Sequence, residues 1–184
     1  MIRFSRRAAA LLLLTAAPML ASALADLSGT RTVTLHGNGG EKVVIGKVTF
    51  ARNGDGYRFT YMADKQAFEE RFLAMRPFGC LDGETVSLCH FPFASPQVIT
   101  ASDLTDLEYQ FMFLQKPRAS VSLNPDAGVY YEMKLVDGHI EGVLKEVDMG
   151  PIVAPEGKQA RPIKREDLFA VDTSGKWLPR LTID

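Results

Sequence analysis

Residues 129–148 read VYYEMKLVDGHIEGVLKEVD, and this stretch decides the fold class. Asp137-Gly138 strongly predicts a two-residue hairpin turn, because both residue types accept positive φ. Folding the chain there brings alternate apolar residues of the two arms together on one face, in three cross-strand pairs: Leu135 with Ile140, Met133 with Gly142, and Tyr131 with Leu144. On the other face Lys134 lies opposite Glu141, and this pair of opposite charges favours the same register.

A second hairpin is predicted over residues 43–62, VVIGKVTFARNGDGYRFTYM. Gly54-Asp55 suits a turn that needs positive φ at its first position. The arms then form three cross-strand pairs: Phe50 with Phe59, Thr49 with Thr60, and Val48 with Tyr61. The same register gives one apolar face, made of Val44, Val48, Phe50, Phe59 and Tyr61. A slip by one residue would scramble this face, so the pattern specifies the pairing.

Shorter strands are predicted at residues 31–36, 85–91 and 168–172. Successive hairpins give a mostly antiparallel sheet of seven or eight strands, with one or two short helices. The sequence therefore predicts a mainly β chain, a β-rich α+β fold, whose sheet closes into a small barrel or splits into a sandwich.

One helix is predicted over residues 64–76, DKQAFEERFLAMR. Asp64 is a suitable N-cap, and Pro77 would end the helix. Helical spacing would place three large apolar residues on one face: Phe68, Phe72 and Met75.

The segment 102–117, SDLTDLEYQFMFLQKP, carries signals of both kinds. Ser102 and Asp103 resemble a helix start. Tyr109, Phe111 and Phe113 alternate as in a strand. We expect a helical turn at 102–106 followed by a strand, and whether residues 102–115 are helix or strand stays open.

Residues 1–25 have the three parts of a secretory signal peptide. A basic start with three arginines is followed by an apolar stretch from Ala8 to Leu20, and Ala23-Leu24-Ala25 supplies the small residues of a cleavage site. The apolar stretch is shorter than a membrane-spanning helix. We expect cleavage near Ala25 and a single domain, residues 26–184, in the periplasm or outside the cell, with no stable membrane insertion.

The net charge of the chain limits the kinds of binding partner that we expect. The chain has 21 basic and 22 acidic residues. Removing Arg3, Arg6 and Arg7 with the signal peptide leaves an excess of acidic groups. An acidic domain is poorly suited to phosphate backbones, so we expect no nucleic-acid partner.

The two cysteines, Cys80 and Cys89, both lie in the mature chain. Export favours a disulfide, and the turn signal Asp82-Gly83 between them lets the chain reverse. The close cysteine pairs of zinc sites and of thioredoxin-like motifs are absent, and His90 alone does not complete a metal site. We therefore expect a disulfide, no metal and no cofactor.

Two glycines fall on the apolar faces of the hairpins, Gly46 and Gly142. In a closed sheet they could leave space for one small apolar ligand. The other residues of this candidate pocket are Phe50, Phe59, Tyr61, Tyr131, Met133 and Leu144. The tyrosine hydroxyl groups would orient the ligand. The alternative interpretation is that both glycines only relieve bending of the sheet.

No catalytic residue can be assigned. HGNGG at 36–40 resembles part of an oxyanion hole, but the G-x-S-x-G motif of lipases is absent. The three histidines, His36, His90 and His139, are far apart in sequence. A carboxylate with a shifted pKa near His36 or His90 would favour an enzyme.

Four segments, FLAMRPFGCL, LCHFPF, DLTDLEY and GVYYEM, resemble a group of uncharacterised proteobacterial secreted proteins. The resemblance covers roughly residues 40–150 and rests on these segments, not on a motif of fixed spacing. It implies export and a single domain, and it implies no catalytic residue.

These observations predict an exported, non-catalytic domain that binds a small molecule. One alternative is a periplasmic enzyme of the hydrolase type. The other is a module of the cell envelope that docks another protein through an exposed aromatic surface.

Overall fold

The computed structural model of the protein describes residues 26–154, 157 and 161–184. The predicted signal peptide, residues 1–25, lies outside the described residues. The described chain is mainly β, as predicted. Its strands and helices are β1 (Gly29–His36), β2 (Lys42–Asn53), β3 (Gly56–Ala63), β4 (Glu69–Leu73), β5 (Arg76–Asp82), β6 (Val86–His90), β7 (Val98–Ile99), α1 (Thr105–Gln110), β8 (Phe113–Pro117), β9 (Gly128–Val136), β10 (His139–Val147), α2 (Gly150–Val153), β11 (Leu168–Phe169) and β12 (Arg180–Ile183).

All twelve strands of the described chain belong to one antiparallel sheet. Its order is β4-β5-β6-β8-β9-β10-β12-β1-β2-β3-β7, and β11 pairs with β10 outside this path. The sheet is not closed into a barrel, and β4 and β7 stand at its two ends. The expected seven or eight strands become twelve, in part because residues predicted as helix or loop pair as short strands.

The open sheet curls around one main core. Phe59 of β3 and Leu88 of β6, which are far apart in the strand order, belong to the same buried cluster. Tyr61 of β3 and His90 of β6 are close enough for their ring centroids to lie 5.8 Å apart. Helix α1 contributes Leu107 to this core. A smaller cluster packs Tyr109, Met112, Leu114, Tyr130, Val147, Met149 and Ile163.

Both predicted hairpin registers are confirmed. In the second hairpin Leu135 pairs with Ile140 and Tyr131 with Leu144. In the first hairpin the observed pairs include Phe50 with Phe59, Thr49 with Thr60 and Val48 with Tyr61. The turns form where the dipeptides predicted them, with positive φ at Gly54, Asp137 and Gly138. Local turn chemistry and face alternation were therefore enough to define how these four strands pair within their hairpins.

The predicted place of Val44 on the apolar face is wrong. Its side chain is 45% exposed, whereas the neighbouring Ile45 is completely buried. The register between β1 and β2 shifts here: Val33 pairs with Gly46, and the next pair joins Thr34 to Val44. Ile45 is thus the extra residue of a β-bulge, and an extra residue reverses the side-chain alternation beyond it.

The predicted helix over residues 64–76 is wrong. Its residues form a turn after Asp64 and then strands β4 and β5, which pair as a hairpin. Phe72 and Met75 do not share a buried face, since they are 76% and 91% exposed. Pairing with β5 supplies backbone hydrogen bonds that outweigh a local helical preference, which is only a weak prior.

The segment 102–115 contains both kinds of structure. Helix α1 starts at Thr105, later than expected, and reaches Gln110; β8 starts at Phe113. The predicted order of helix then strand is right, but the helix is displaced from 102–106. Tyr109 is helical and does not belong to the strand, although its spacing to Phe113 had suggested alternation.

Candidate functional site

Cys80 and Cys89 lie directly opposite each other on β5 and β6, and their Sγ atoms are 2.07 Å apart. Both are completely buried beside Leu73 and Phe78. The predicted disulfide therefore joins two neighbouring strands. Because both cysteines are buried in a small apolar cluster, we interpret this disulfide as a structural bond.

The glycines of the candidate apolar pocket lie in tightly packed surroundings. A Cβ atom at Gly46 would lie 2.4 Å from the carbonyl oxygen of Met62, and Gly46 has a φ of +153°. A Cβ atom at Gly142 would lie 3.1 Å from that of Tyr131 and 3.3 Å from that of Leu181. Neighbouring atoms thus occupy the space beside both glycines. Gly46 lies beside the β-bulge at Ile45, and Gly142 lies in a close contact between strands, so neither glycine leaves the space that the candidate pocket requires.

The remaining pocket residues are also part of packed structure. All six belong to the main core or pack against it: Phe50, Phe59, Tyr61, Tyr131, Met133 and Leu144. The two hydroxyl groups that were expected to orient a ligand donate hydrogen bonds to backbone carbonyls, Tyr61 to Ile45 and Tyr131 to Leu178, at 2.7 and 2.8 Å. Burial raises the pKa of both phenols. Both tyrosine hydroxyl groups are therefore already used in hydrogen bonds that hold the backbone in place.

Neither His36 nor His90 contacts a carboxylate of shifted pKa in the described chain, whereas His139 lies 3.3 Å from the partly exposed Glu141 and lowers its pKa. The Nε2 atom of His36 lies 2.9 Å from the Thr182 hydroxyl group. The Nε2 atom of His90 lies 2.8 Å from the Gln110 carbonyl oxygen, and the ring packs among Tyr61, Phe68 and Phe113. His139 is half-buried beside Glu141.

The buried carboxylate of raised pKa is Glu108 on α1. Burial raises the pKa of Glu108, while hydrogen bonds from the Met133 amide, the Tyr130 hydroxyl and Arg165 oppose the shift. Its side chain is completely buried. Asp106 of the same helix accepts from the Val98 amide and from Arg161. All these contacts tie α1 to the sheet and to the C-terminal segment, so we interpret this group as structural.

A cleft of about 610 Å³ opens where several loops meet at one end of the sheet. The loop between β1 and β2, the loop between β5 and β6, the residue after β8 and the turn at Thr173–Gly175 form its walls. The lining is part aromatic and part charged: Asn38, Glu41, Asp82, Gly83, Glu84, Thr85, Val86, Arg118, Ser174, Gly175, Lys176 and Trp177. It has the size range of small-molecule sites.

Trp177 is the only tryptophan in the chain, and its side chain is held in the wall of this cleft by contacts with Gly83 and Glu41. A Cβ atom at position 83 would lie 2.8 to 3.0 Å from the indole ring, so the ring rests against Gly83. The indole N–H donates to a Glu41 carboxylate oxygen at 3.0 Å. The Asn38 amide donates to the carbonyls of Thr173 and Ser174, which holds the turn before Trp177.

Some of the charged side chains in the cleft form ion pairs and others do not. Arg118 lies 4.0 Å from Asp82 and donates to the Gly83 carbonyl, and Lys176 is paired with Glu146. Burial alone would raise the pKa of Asp82, but hydrogen bonds from Ser87 and Arg71 and the charges of Arg71 and Arg118 hold it below its ordinary value. Within the described chain, Glu41 and Glu84 form no ion pair.

Sequence reasoning missed this site. Its walls come from segments that are distant in the chain, and only the sheet topology brings them together. Two features of the sequence point to it: the lone Trp177 and the glycine-rich loop 36–40.

Among the described residues, no group of three or more histidine, cysteine, aspartate or glutamate side chains is placed to hold a metal ion. The helices of the described chain are too short and too polar to cross a membrane. Comparison of the chain with protein-family models, with curated proteins and with solved structures finds no match.

Proposed function

We propose that the protein is an exported, non-catalytic domain that binds a small amine in the cleft beside Trp177. The observation that carries the proposal is that this lone tryptophan, hydrogen-bonded to Glu41, lines one cleft with Glu84, and that neither carboxylate has a basic partner in the described chain. The ligand site thus differs from the apolar interior that the sequence suggested.

The cleft chemistry suits a positively charged ligand. An ammonium group is attracted to the face of an aromatic ring, and tryptophan gives the strongest attraction. Glu41 is held at the edge of the indole by its hydrogen bond, and Glu84 is exposed on the β5–β6 loop. An amine bound in the cleft would find two carboxylates in the lining that no basic side chain of the described chain already pairs with. An anionic ligand would meet three carboxylates, since Asp82 also belongs to the lining, whereas the two basic side chains there already have acidic partners, Arg118 in Asp82 and Lys176 in Glu146.

Binding without catalysis is favoured because the polar side chain best placed for catalysis in the cleft already has hydrogen-bond partners. Asp82, the least exposed carboxylate of the cleft, already accepts hydrogen bonds from Arg71 and Ser87. Its lowered pKa makes it a poor proton donor near neutral pH.

Export is supported by the start of the folded domain. Leu27, just after the predicted cleavage at Ala25, is almost fully buried in the main core. Its amide donates to the Tyr57 hydroxyl group, which donates to Asp26. A chain cut near Ala25 would thus keep every residue that these contacts need. The buried cysteine pair suits an oxidising compartment.

Native mass spectrometry of the protein released from its own periplasm tests both parts of the proposal. The expected chain mass corresponds to a start at Asp26 with the disulfide intact, and the expected adduct is a small amine. A second sample carries Glu41→Gln and Glu84→Gln, which keep the side-chain size and remove the charges. This variant should lose the adduct, whereas Glu166→Gln on the exposed 3₁₀ turn should keep it.

A precursor mass in the periplasm would contradict cleavage near Ala25, and a protein found only in the cytoplasmic fraction would contradict export. An adduct that is anionic, or one that survives both cleft substitutions, would contradict the assigned ligand class.

A further inference from the structure

Strand β4 leaves one side of the sheet open. It pairs with β5 and stands at the end of the strand order, so within the described chain no strand pairs with its outer side. Alternate N–H and C=O groups of Glu69–Leu73 therefore face outward. The opposite end of the sheet is only the two-residue β7. An open edge is a template for another strand, and proteins usually protect such edges.

The hairpin of β4 and β5 also presents large apolar side chains. Phe72 is 76% exposed and Met75 is 91% exposed. Pro77, the cross-strand partner of Phe72, lines a groove of about 380 Å³ with Phe68, Glu70 and His90 among its other walls. Exposed aromatic and methionine side chains beside a groove are typical of sites that bind other proteins.

The turn of this hairpin holds Met75 in an unusual conformation. Ala74 and Met75 both have positive φ, 46° and 64°, which residues other than glycine and asparagine seldom adopt. A turn of this kind normally uses Asn-Gly. Met75 therefore stands at the hairpin tip at a conformational cost, and conformational strain of this kind is concentrated at functional sites.

The charges of β4 select between partners. Glu69 and Glu70 are exposed, whereas Arg71 is bound to Asp82. The edge is therefore acidic and would attract a basic segment. Antiparallel pairing of two copies about Arg71, the middle of the strand, would place the two arginines opposite each other, and like charges in that position are destabilising.

We propose that β4 is a docking edge for another protein, which adds an extended segment of alternating basic and apolar residues as an antiparallel strand. The backbone of β4 supplies the hydrogen bonds, and the groove beside Phe72 takes an apolar side chain. Glu69, whose side chain lies on the opposite face of the strand, pairs with a basic one. Adding a strand to a sheet edge is an established mode of peptide recognition.

Fluorescence anisotropy with a labelled peptide, acetyl-Lys-Val-Lys-Phe-Lys-Val-Lys-amide, tests this proposal on the mature chain. We expect saturable binding that weakens roughly tenfold with Phe72→Ser and also weakens with Glu69→Gln. Phe169→Ser, at another exposed phenylalanine, should leave the affinity unchanged. Two peptide analogues, each N-methylated along one edge, separate strand pairing from surface adhesion. One analogue should lose binding and the other should keep it.

Three results would overturn the proposal. The first is no binding by the wild type, and the second is equal binding of both methylated analogues. The third is binding that Glu41→Gln with Glu84→Gln abolishes but Phe72→Ser does not, since the peptide lysines would then occupy the cleft. Light scattering on the same samples should give a monomer, and a dimer lost with Phe72→Ser would assign the edge to a second copy.

Discussion

The indole ring of Trp177 rests on the backbone of Gly83, so closely that a Cβ atom there would come within 2.8 Å of the ring. Gly83 begins the loop between β5 and β6, whereas Trp177 precedes β12. The contact joins two distant parts of the chain and forms one wall of the cleft. Disrupting this contact therefore tests whether the cleft is the binding site.

Gly83→Ala should displace the indole, because the added methyl group needs the space that the ring occupies. We expect a change in tryptophan emission and weaker amine binding. Gly175→Ala is the matched control, since Gly175 lines the same cleft and a Cβ atom there would meet nothing within 4 Å. Equal emission spectra for the two variants would contradict the described contact between the indole ring and Gly83.

Turn chemistry made the two long hairpins predictable from sequence. Asp137-Gly138 and Gly54-Asp55 fixed the pairing, and the alternation of large apolar residues then fixed the faces. At Ile45 the same reasoning failed, because one extra residue in β2 reverses the alternation and no local signal except Gly46 marks it.

The cleft could not be predicted in this way. Glu41, Gly83 and Trp177 meet through the order of strands in the sheet, and strand order depends on pairings between distant segments. The helix predicted over 64–76 failed for a related reason. Its apolar spacing fits a helix, yet β5 pairs with Glu69–Leu73 and turns the segment into a strand.

The disulfide should contribute measurably to stability. Reducing the bond between Cys80 and Cys89, which are nine positions apart, should lower the free energy of unfolding by about 2–3 kcal/mol, because the closed loop restricts the unfolded chain. Urea unfolding with and without a reductant measures the loss. A Cys80→Ala, Cys89→Ala double variant should not respond to the reductant. A wild type that is equally indifferent would show that the bond does not form.

The register of the second hairpin separates core from surface. Leu144→Ala should cost about 2–5 kcal/mol of unfolding free energy, because Leu144 is completely packed in the main core. Glu141→Ala should cost less than about 1 kcal/mol, since its pair with Lys134 is largely exposed. Chemical denaturation measures both values. Similar losses for the two variants would be inconsistent with the register.

His90 should make stability depend on pH. Burial among aromatic rings lowers the pKa of His90, and its hydrogen bond to Gln110 opposes this only in part. The unfolded chain therefore binds the proton near the ordinary value of 6.5 before the folded protein does. The associated stability is present above that pH and is lost as the pH falls through the folded pKa.

Unfolding free energies between pH 7 and pH 5 test this sign. The wild type should lose more stability over this range than His90→Gln does. A His90→Gln variant with the wild-type pH dependence would mean that His90 protonates as easily in the folded protein as in the unfolded chain.

The emission of Trp177 gives the most direct test of the amine site, because the chain has no other tryptophan. Putrescine, 1,4-butanediol and succinate share a four-carbon chain and differ in charge. The account predicts that putrescine changes the emission saturably, that the diol and succinate do not, and that Glu41→Gln with Glu84→Gln abolishes the response. An unchanged emission with putrescine, or an equal response to succinate, would contradict it.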